Sequence, residues 1–232
     1  MRINPRRPPT FPDFLGIGAQ KSGTSWLYQT LRRHPELWLP KVKELHYFDQ
    51  KQDLGRRRLR DSLRSRAPVH RRWRKQFRQR VRSYRRGFSF ESLRFDLRFF
   101  FPGRLDDAWY ASLFALAGDK VKGETTPDYS ALPPEKVAHV HELMPEARIL
   151  FVMRNPIERA WSQALMFARK SGAPREALVP HLDREHSVAR SDYLRTLETW
   201  GRPDGAGEVV PVRQRQQALG RHPRTVPFVS CA

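Results

Sequence analysis

The chain has 232 residues, of which 44 are lysine or arginine and 24 are aspartate or glutamate, so its formal net charge is +20. This length suits one α/β domain, or one domain with an appendage. Its single cysteine, Cys231, excludes an internal disulfide framework and a cysteine-ligated metal site. The positive charge favours acidic partners, such as a nucleic acid, an anionic glycan, a membrane surface or an anionic nucleotide.

The first predicted elements follow a polar, proline-rich lead over residues 1–12. An apolar run at 14–17 predicts a strand, small and polar residues at 18–25 predict a tight loop, and the next residues predict a helix to about Arg33. A loop between a strand and a helix N-terminus directs backbone N–H groups toward one point. This arrangement is typical of a site for an anionic group.

This loop differs from the nucleotide-binding Walker A loop in the position of its lysine. Gly18, Gly23 and Ser25 fit the spacing G-x-x-x-x-G-K-[ST], but Thr24 stands at the lysine position and the lysine of the loop is Lys21. A nucleoside triphosphatase needs that lysine on the β- and γ-phosphates. The spacing leaves two alternatives open: a decayed kinase loop, or a loop built for another phosphate ester.

A second polar segment, Lys-Glu-Leu-His-Tyr-Phe, occupies residues 43–48. If the segment is extended, its alternation places Glu44 and His46 on the same side. Transfer of a group to a hydroxyl needs a general base that takes the proton as the oxygen attacks. Both Glu44 and His46 are candidates for that base.

The sequence changes character between about residues 51 and 106, where arginine is dense and acidic residues are few. Trp73, Phe77, Val81 and Tyr84 fall at helical spacing and predict one short amphipathic helix. An aromatic cluster follows that helix: Phe88, Phe90, Phe95, Phe99, Phe100 and Phe101. Two interpretations remain open: a basic lid that meets an acidic acceptor or a membrane, or a solvated helical insertion.

The remaining elements alternate between helices and strands. The patterns predict helices at 107–114, 134–144, 156–170 and 192–200, and strands at 120–124 and 148–153. The apolar strand at 148–153 is followed by Arg154 and not by the aspartate of a Walker B strand. With the displaced lysine, this favours anion binding without metal, and Arg154 and Ser162 can converge on one phosphate.

Three groups of residues together resemble the sulfotransferases that use 3′-phosphoadenylyl sulfate (PAPS), in particular the carbohydrate, heparan-type branch and its bacterial relatives. The groups are Gln20–Leu27 with His34, Pro35 and Lys43–Phe48, then Gly123–Tyr129, then Arg154–Pro156 with Arg159, Ala160 and Ser162. The resemblance covers roughly residues 13–50 and 107–200. The predicted fold is α/β, a P-loop-type parallel sheet with helices on both faces. The strands at 14–17 and 148–153 should be central neighbours.

The resemblance implies an enzyme that moves a sulfuryl group from PAPS to a hydroxyl or amine of a carbohydrate-type acceptor, without a metal. It implies that Lys21 and Glu44 act in catalysis, while His46 orients the acceptor or supports the site. The implied donor site consists of the loop and two later residues: Gln20, Lys21, Ser22, Gly23, Thr24, Ser25, Trp26, Arg154 and Ser162. The implied partners are the nucleotide donor and a carbohydrate or glycolipid acceptor, with no specific nucleic acid.

The C-terminal part departs from the family pattern. The domain resembling a sulfotransferase is predicted at 13–200, and residues 201–232 are expected to form an atypical, poorly ordered tail of a truncated or unusual variant. No signal peptide or membrane-spanning run is recognised, so a cytoplasmic protein is expected, with peripheral membrane contact left open. The alternatives are a P-loop kinase or NTPase, and a catalytically defective nucleotide-binding relative.

Overall fold

The computed structural model describes residues 10–49, 68–85, 87–201 and 209–213. Within these residues five strands form one sheet in the order β2-β3-β1-β4-β5, and every pairing is parallel. The strands are β1 (Phe14–Gly18), β2 (Leu37–Trp38), β3 (Val121–Thr125), β4 (Arg148–Met153) and β5 (Val209–Arg213). The α/β class is confirmed, and so is the prediction that β1 and β4 are neighbours.

Helices form most of the connections, because parallel strands need long crossovers. They are α1 (Thr24–Leu31), α2 (Pro68–Tyr84), α3 (Phe90–Phe100), α4 (Asp107–Phe114), α5 (Pro134–Leu143), α6 (Pro156–Ser171), α7 (Leu178–Leu182), α8 (Glu185–Ala189) and α9 (Tyr193–Trp200). Short 3₁₀ turns occupy Pro127–Ala131 and Arg175–Ala177. The predicted helices agree with α1, α2, α4, α5, α6 and α9 within a few residues. None of the described helices is both long enough and apolar enough to cross a membrane.

The core lies against β1, whose five residues are all buried. Leu15 and Ile17 contribute to a cluster that includes the aromatic rings of Tyr110 and Phe114 from α4. A side chain at position 123 would collide with the Phe14 ring, since a Cβ there would lie 2.0 Å from that ring. The bare backbone of Gly123 therefore allows β3 to pack beside Phe14, which fixes the centre of the sheet.

Helices α2 and α3 pack against each other within the predicted insertion. Trp73 stacks on Phe77 with ring centroids 5.1 Å apart, and its indole N–H donates to the backbone oxygen of Phe100. Arg80 forms an ion pair of 2.8 Å with the buried Asp96 of α3. This part of the insertion is therefore tied to the core. Several stretches lie outside the described residues: the arginines at 56–58, residues 1–9 of the lead, and residues 202–208 and 214–232 of the tail.

The conditional prediction of an extended segment at 43–48 is wrong. Glu44 has φ 64° and His46 has φ 54°, so both backbones are in the left-handed region. Two such residues interrupt the alternation of a strand. The turns bury Leu45 and His46 and leave Glu44 partly exposed.

The sheet continues beyond the domain boundary predicted at residue 200. Strand β5 pairs in parallel with β4 along Ile149–Met153. The division of the chain into domains stays a prediction. Residues 209–213 nevertheless belong to the same sheet as β1, the strand that precedes the loop.

Candidate active site

The loop between β1 and α1 has the backbone geometry of an anion site. Gly23 caps α1 with φ 87°, and Lys21 has φ 71°, so the chain turns sharply twice within three residues. The first helical hydrogen bond runs from the N–H of Leu27 to the oxygen of Gly23. Because a helix leaves its first N–H groups without intrahelical acceptors, those of Thr24, Ser25 and Trp26 are directed at this end.

Two hydroxyl-bearing side chains of the loop are buried. Ser22 and Thr24 are enclosed by the fold, and the Oγ of Ser22 has no hydrogen-bond partner within the described residues. Ser25 is exposed and accepts a hydrogen bond of 3.1 Å from Nζ of Lys43, while Trp26 is also exposed. An orphaned buried hydroxyl beside free backbone donors fits a ligand that carries several acceptor oxygens.

Four cations share the region around this loop. Burial lowers the pKa of Lys21, and repulsion from Lys170, Arg169 and Arg154 lowers it further. Arg169 and Lys170 belong to the last turns of α6, far from Lys21 in sequence. Positive charges that repel one another in this way are stabilised when an anion binds among them.

Arg154 reaches the loop from the end of β4. Its Nε donates to Glu158 over 3.0 Å, and its Nη1 lies 3.4 Å from the backbone oxygen of Lys21. Ser162 follows Glu158 by one helical turn on α6, so these two residues share a face of the helix. The structure thus places Arg154 at the loop. Ser162 lies about two helical turns after Arg154, in α6.

Asp128 forms a second connection around the loop. Its Oδ1 accepts hydrogen bonds from both Nε and Nη2 of Arg190, at 3.2 and 2.9 Å. The amide nitrogen of Gln20 donates to the same oxygen over 3.4 Å. Gln20 is therefore anchored to the chain segment after β3 by a carboxylate that Arg190 holds in place.

Glu44 lies beside His46, whose Nδ1 is in turn 3.9 Å from Oδ2 of Asp128. The carboxylate of Glu44 accepts a hydrogen bond of 2.7 Å from Nζ of Lys43, which also contacts Ser25. Its Oε2 lies 3.5 Å from Nε2 of His46. Burial acts to raise the pKa of Glu44, but the hydrogen bonds with His46 and Lys43 outweigh it and lower the pKa to about 2.

His46 is held between two carboxylates. Its Nδ1 lies 2.5 Å from Oδ2 of Asp49, and its ring is 1% exposed. Burial acts to lower the pKa of His46, but the hydrogen bonds with Asp49 and Glu44 outweigh it and raise the pKa to about 9. At neutral pH the ring is an imidazolium cation. Its Nδ1 donates to Asp49, and its Nε2 faces the ionised Glu44 over 3.5 Å without a hydrogen bond of good geometry among the described residues.

One group of side chains has the spacing of a metal site. One ligand atom from each of His46, Asp49 and Asp128 lies within 4.8 Å of the other two. The ring nitrogen concerned is already engaged with Asp49, and Asp128 is engaged with Arg190. These ion pairs account for the cluster without a metal.

A buried carboxyl lies beneath the site. Glu124 of β3 is 1% exposed, and neither of its oxygens has a hydrogen bond of good geometry among the described residues. Burial raises the pKa of Glu124 to about 7, against the opposing effects of Tyr129, His46 and Thr126. The positive charge of His46 therefore lowers the pKa of this carboxyl by acting through the protein interior.

Sequence reasoning gave no role to several residues that contact the site or act on it electrostatically: Lys43, Asp49, Arg169, Lys170, Asp128 and Arg190. Asp49 had a visible signal, since it follows His46 by three residues. Arg190 had none, because its contact with Asp128 joins two elements 62 residues apart.

Comparison with known proteins agrees with this fold. The profile of the sulfotransferase family matches residues 12–219. Carbohydrate sulfotransferase 15 of Rattus norvegicus is 30% identical over 165 residues, 68% of this chain and 27% of the relative. Heparan sulfate glucosamine 3-O-sulfotransferase 6 of Homo sapiens is 26% identical over 200 residues, 82% of this chain and 43% of the relative. The chain spans less than half the length of these two relatives.

Two solved structures share the fold at low sequence identity. The sulfotransferase of Alicyclobacillus acidocaldarius is 20% identical with a TM-score of 0.53, covering 87% of this chain and 72% of that one. The sulfotransferase domain of the Synechococcus PCC 7002 olefin synthase is 17% identical with a TM-score of 0.57, covering 92% and 70%. From the match over residues 12–219, the chain belongs to the sulfotransferase family.

Proposed function

We propose that the chain transfers a sulfuryl group from PAPS to a hydroxyl or amine of a carbohydrate-type acceptor. The observation that carries the proposal is a loop of free backbone donors that contains Lys21 and that Arg154 reaches from the end of β4. The carboxylate of Glu44 is linked to that loop through Lys43 and Ser25. An anion-binding loop and a proton acceptor are the two parts that this reaction needs.

The donor site proposed here divides into two ends. The loop from Gln20 to Trp26 binds the 5′-phosphosulfate through its backbone N–H groups, the hydroxyls of Ser22, Thr24 and Ser25, and the ammonium of Lys21. Arg154 and Ser162 bind the 3′-phosphate. For this, Arg154 uses the guanidinium N–H groups that do not face Glu158, or exchanges Glu158 for the phosphate.

The sulfuryl group and its leaving group are supplied by PAPS. The acceptor oxygen or nitrogen forms a bond to sulfur as the bond from sulfur to the bridging phosphate oxygen breaks. The leaving adenosine 3′,5′-bisphosphate keeps the electron pair of that bond. Lys21 stabilises the charge that develops on the bridging oxygen.

Glu44 takes the acceptor proton in this mechanism. Its carboxylate is ionised at neutral pH, whereas His46 already carries a proton on each ring nitrogen. His46 and Lys43 hold the carboxylate in position, and Asp49 holds His46. An incoming acceptor hydroxyl that displaces one of these donors makes Glu44 a stronger base, because each donor that leaves raises the pKa of the carboxyl.

The acceptor class is proposed from the names of the relatives, which are a carbohydrate and a heparan sulfate glucosamine sulfotransferase. The side chain of Glu44 is 38% exposed, so an acceptor has access to it from solvent. The requirement on the acceptor is a hydroxyl or amine that can enter between Glu44 and the loop.

Titration calorimetry with adenosine 3′,5′-bisphosphate, ADP and ATP, each with and without Mg²⁺, tests the donor site. We expect adenosine 3′,5′-bisphosphate to bind most tightly, without dependence on Mg²⁺. Tighter binding of ATP in Mg²⁺ would contradict the proposal and support a kinase or NTPase. Binding of adenosine 3′,5′-bisphosphate with no turnover of PAPS on any glycan would support a catalytically defective relative instead.

A further inference from the structure

The outward side of α2 carries a row of cations. Arg71, Lys75, Arg78 and Arg82 follow one another at intervals of four and three residues, and Arg85 continues the row directly after the helix. This spacing places them on one side of a helix, and all of them are exposed. The opposite side of α2 packs on the protein through Trp73, Phe77, Arg80 and Tyr84.

Within the described residues, no aspartate or glutamate forms an ion pair with this row. Helix α2 contains no aspartate or glutamate, and Asp96 of α3 is engaged by Arg80 on the inner side. In the adjoining sequence, residues 50–67, basic residues outnumber acidic ones. Like charges three or four residues apart on a helix destabilise it. A row that lowers the stability of its own helix indicates an anionic partner outside the described part of the chain.

A row of exposed apolar side chains lies on the neighbouring helix. Phe90 and Leu97 are seven residues apart, which places them on one side of α3, and Phe101 follows Leu97 by four residues as the C-terminal cap of the helix. Phe90 is 76% exposed, and Phe88, which precedes it in the turn, is 59% exposed. The Phe88 and Phe90 rings contact each other at 5.1 Å. Contiguous exposed apolar surface of this kind marks an interaction site on a folded protein.

The two rows belong to one hairpin of helices. Phe77 of α2 contacts Phe101 at 6.0 Å, and Arg80 pairs with Asp96, so α2 and α3 run antiparallel and side by side. The hairpin thus presents basic side chains on one helix, and phenylalanine and leucine on the other helix and in the turn. A soluble polyanion would use the basic row alone. A lipid surface uses both, because the cations meet anionic headgroups while the apolar side chains enter the boundary with the acyl chains.

We propose that the α2–α3 hairpin docks the protein on an anionic lipid membrane. This inference rests on the hairpin and not on the proposed reaction. It has a consequence for the site, since Arg72, in the first turns of α2, is close enough to lower the pKa of His46 by charge repulsion. Docking through the hairpin would hold the candidate active site near the membrane, where a lipid-linked acceptor is presented.

Co-sedimentation of the full chain with lipid vesicles tests the proposal. One set of vesicles contains phosphatidylcholine alone and the other contains phosphatidylserine as well. The charge variant combines Arg78→Gln, Arg82→Gln and Arg85→Gln, which keep helix propensity close to that of arginine. Its control combines Arg33→Gln, Arg148→Gln and Arg195→Gln, which remove the same charge from exposed positions elsewhere.

We expect binding only to the vesicles with phosphatidylserine. Because each basic residue near such a surface contributes about fivefold to binding, the charge variant should partition about 100-fold more weakly. The control triple should bind nearly as the original chain does. Removal of the exposed rings by Phe88→Ser and Phe90→Ser should also weaken binding, including at high salt, whereas Leu194→Ser on α9 should not. Thermal unfolding of each variant checks that the fold is retained.

Several outcomes would overturn the proposal. Equal binding to both kinds of vesicle, or binding to neither, would do so. So would a control triple that weakens binding as much as the charge variant does. Another is binding of dextran sulfate with the same dependence on the three arginines and no binding to vesicles, which would assign the row to a soluble polyanion. Self-association that Phe90→Ser abolishes, measured by analytical ultracentrifugation without any vesicle binding, would assign the apolar row to a second copy of the chain.

Discussion

The Oε2 atom of Glu44 lies 3.5 Å from Nε2 of His46, and the two side chains carry opposite charges at neutral pH. Burial opposes both charges, yet the hydrogen bonds set the pKa of Glu44 at about 2 and that of His46 at about 9. An imidazolium cannot accept a proton, whereas a carboxylate can. In the proposed reaction, this relationship favours Glu44 as the proton acceptor of the pair and His46 as the group that orients it.

Replacement of Glu44 tests that assignment. Glu44→Gln keeps the shape of the side chain and removes the proton acceptor, so turnover should fall roughly 10²–10⁴-fold, the usual range for loss of a general base. Binding of adenosine 3′,5′-bisphosphate, measured by calorimetry, should survive. The control is Glu36→Gln at an exposed position. If His46→Ala gives this loss of turnover and Glu44→Gln does not, His46 is the base.

Removal of the lysine in the loop tests the anion site. Lys21→Ala removes the cation inside the loop, so it should abolish transfer and weaken nucleotide binding. Transfer from PAPS and calorimetry measure the two effects. Lys120→Ala removes an exposed lysine before β3 and should change neither. Turnover of Lys21→Ala near that of the original chain would refute the assignment.

Replacement of Arg154 tests the 3′-phosphate end. Arg154→Ala should lose roughly 2–4 kcal/mol of affinity for adenosine 3′,5′-bisphosphate, the range for breaking a charge-assisted contact. It should lose much less for AMP, which lacks the 3′-phosphate. The control Arg148→Ala is exposed at the opposite end of β4. Equal losses for both nucleotides would show that Arg154 serves the fold or the 5′ end.

The buried carboxyl of Glu124 predicts a pH dependence of stability. Its raised pKa means that the folded chain holds this proton more tightly than the unfolded chain does. The protonated carboxyl of Glu124 therefore stabilises the fold fully below pH 4.5. This stabilisation is lost as the pH rises through about 7. A shift of this size corresponds to about 3 kcal/mol of the free energy of unfolding at pH 8.

Glu124→Gln should remove that loss, because an amide carries no charge in the core. Urea unfolding between pH 4 and pH 8 measures the free energy of unfolding for both chains. The variant should lose less stability than the original chain between pH 5 and pH 8, while the exposed control Glu142→Gln should follow the original chain. Parallel curves for Glu124→Gln and the original chain would show that Glu124 stays ionised.

Local sequence patterns identified the first half of the site. The apolar run of β1, the small residues of the loop and the start of α1 follow one another in sequence, so each is encoded by its own periodicity and turn residues. The buried strand β4 with Arg154 after it was recognised in the same way. The neighbouring positions of β1 and β4 followed from the general rules of parallel sheets.

The segment at residues 43–48 shows where local patterns fail. Alternation orders the side chains of this segment only if it is extended, but the left-handed backbones at Glu44 and His46 depend on contacts that no alternation encodes. One of them is the bond from the N–H of Tyr47 to the hydroxyl of Tyr129, 82 residues away. Tertiary packing overrides a local preference when the buried contacts contribute more free energy than the strained backbone costs.

Local patterns predicted the loop between β1 and α1 and six of the nine described helices, and the resemblance to sulfotransferases pointed to the candidate residues Lys21, Glu44 and Arg154. Which charges meet, in contrast, depends on the tertiary structure. It brings Arg154 to the backbone of Lys21 across 133 residues, and Arg190 to Asp128. The physical reason is that hydrophobic periodicity specifies which face of each element is buried, whereas the pairing of charges depends on the distances created when those faces pack together.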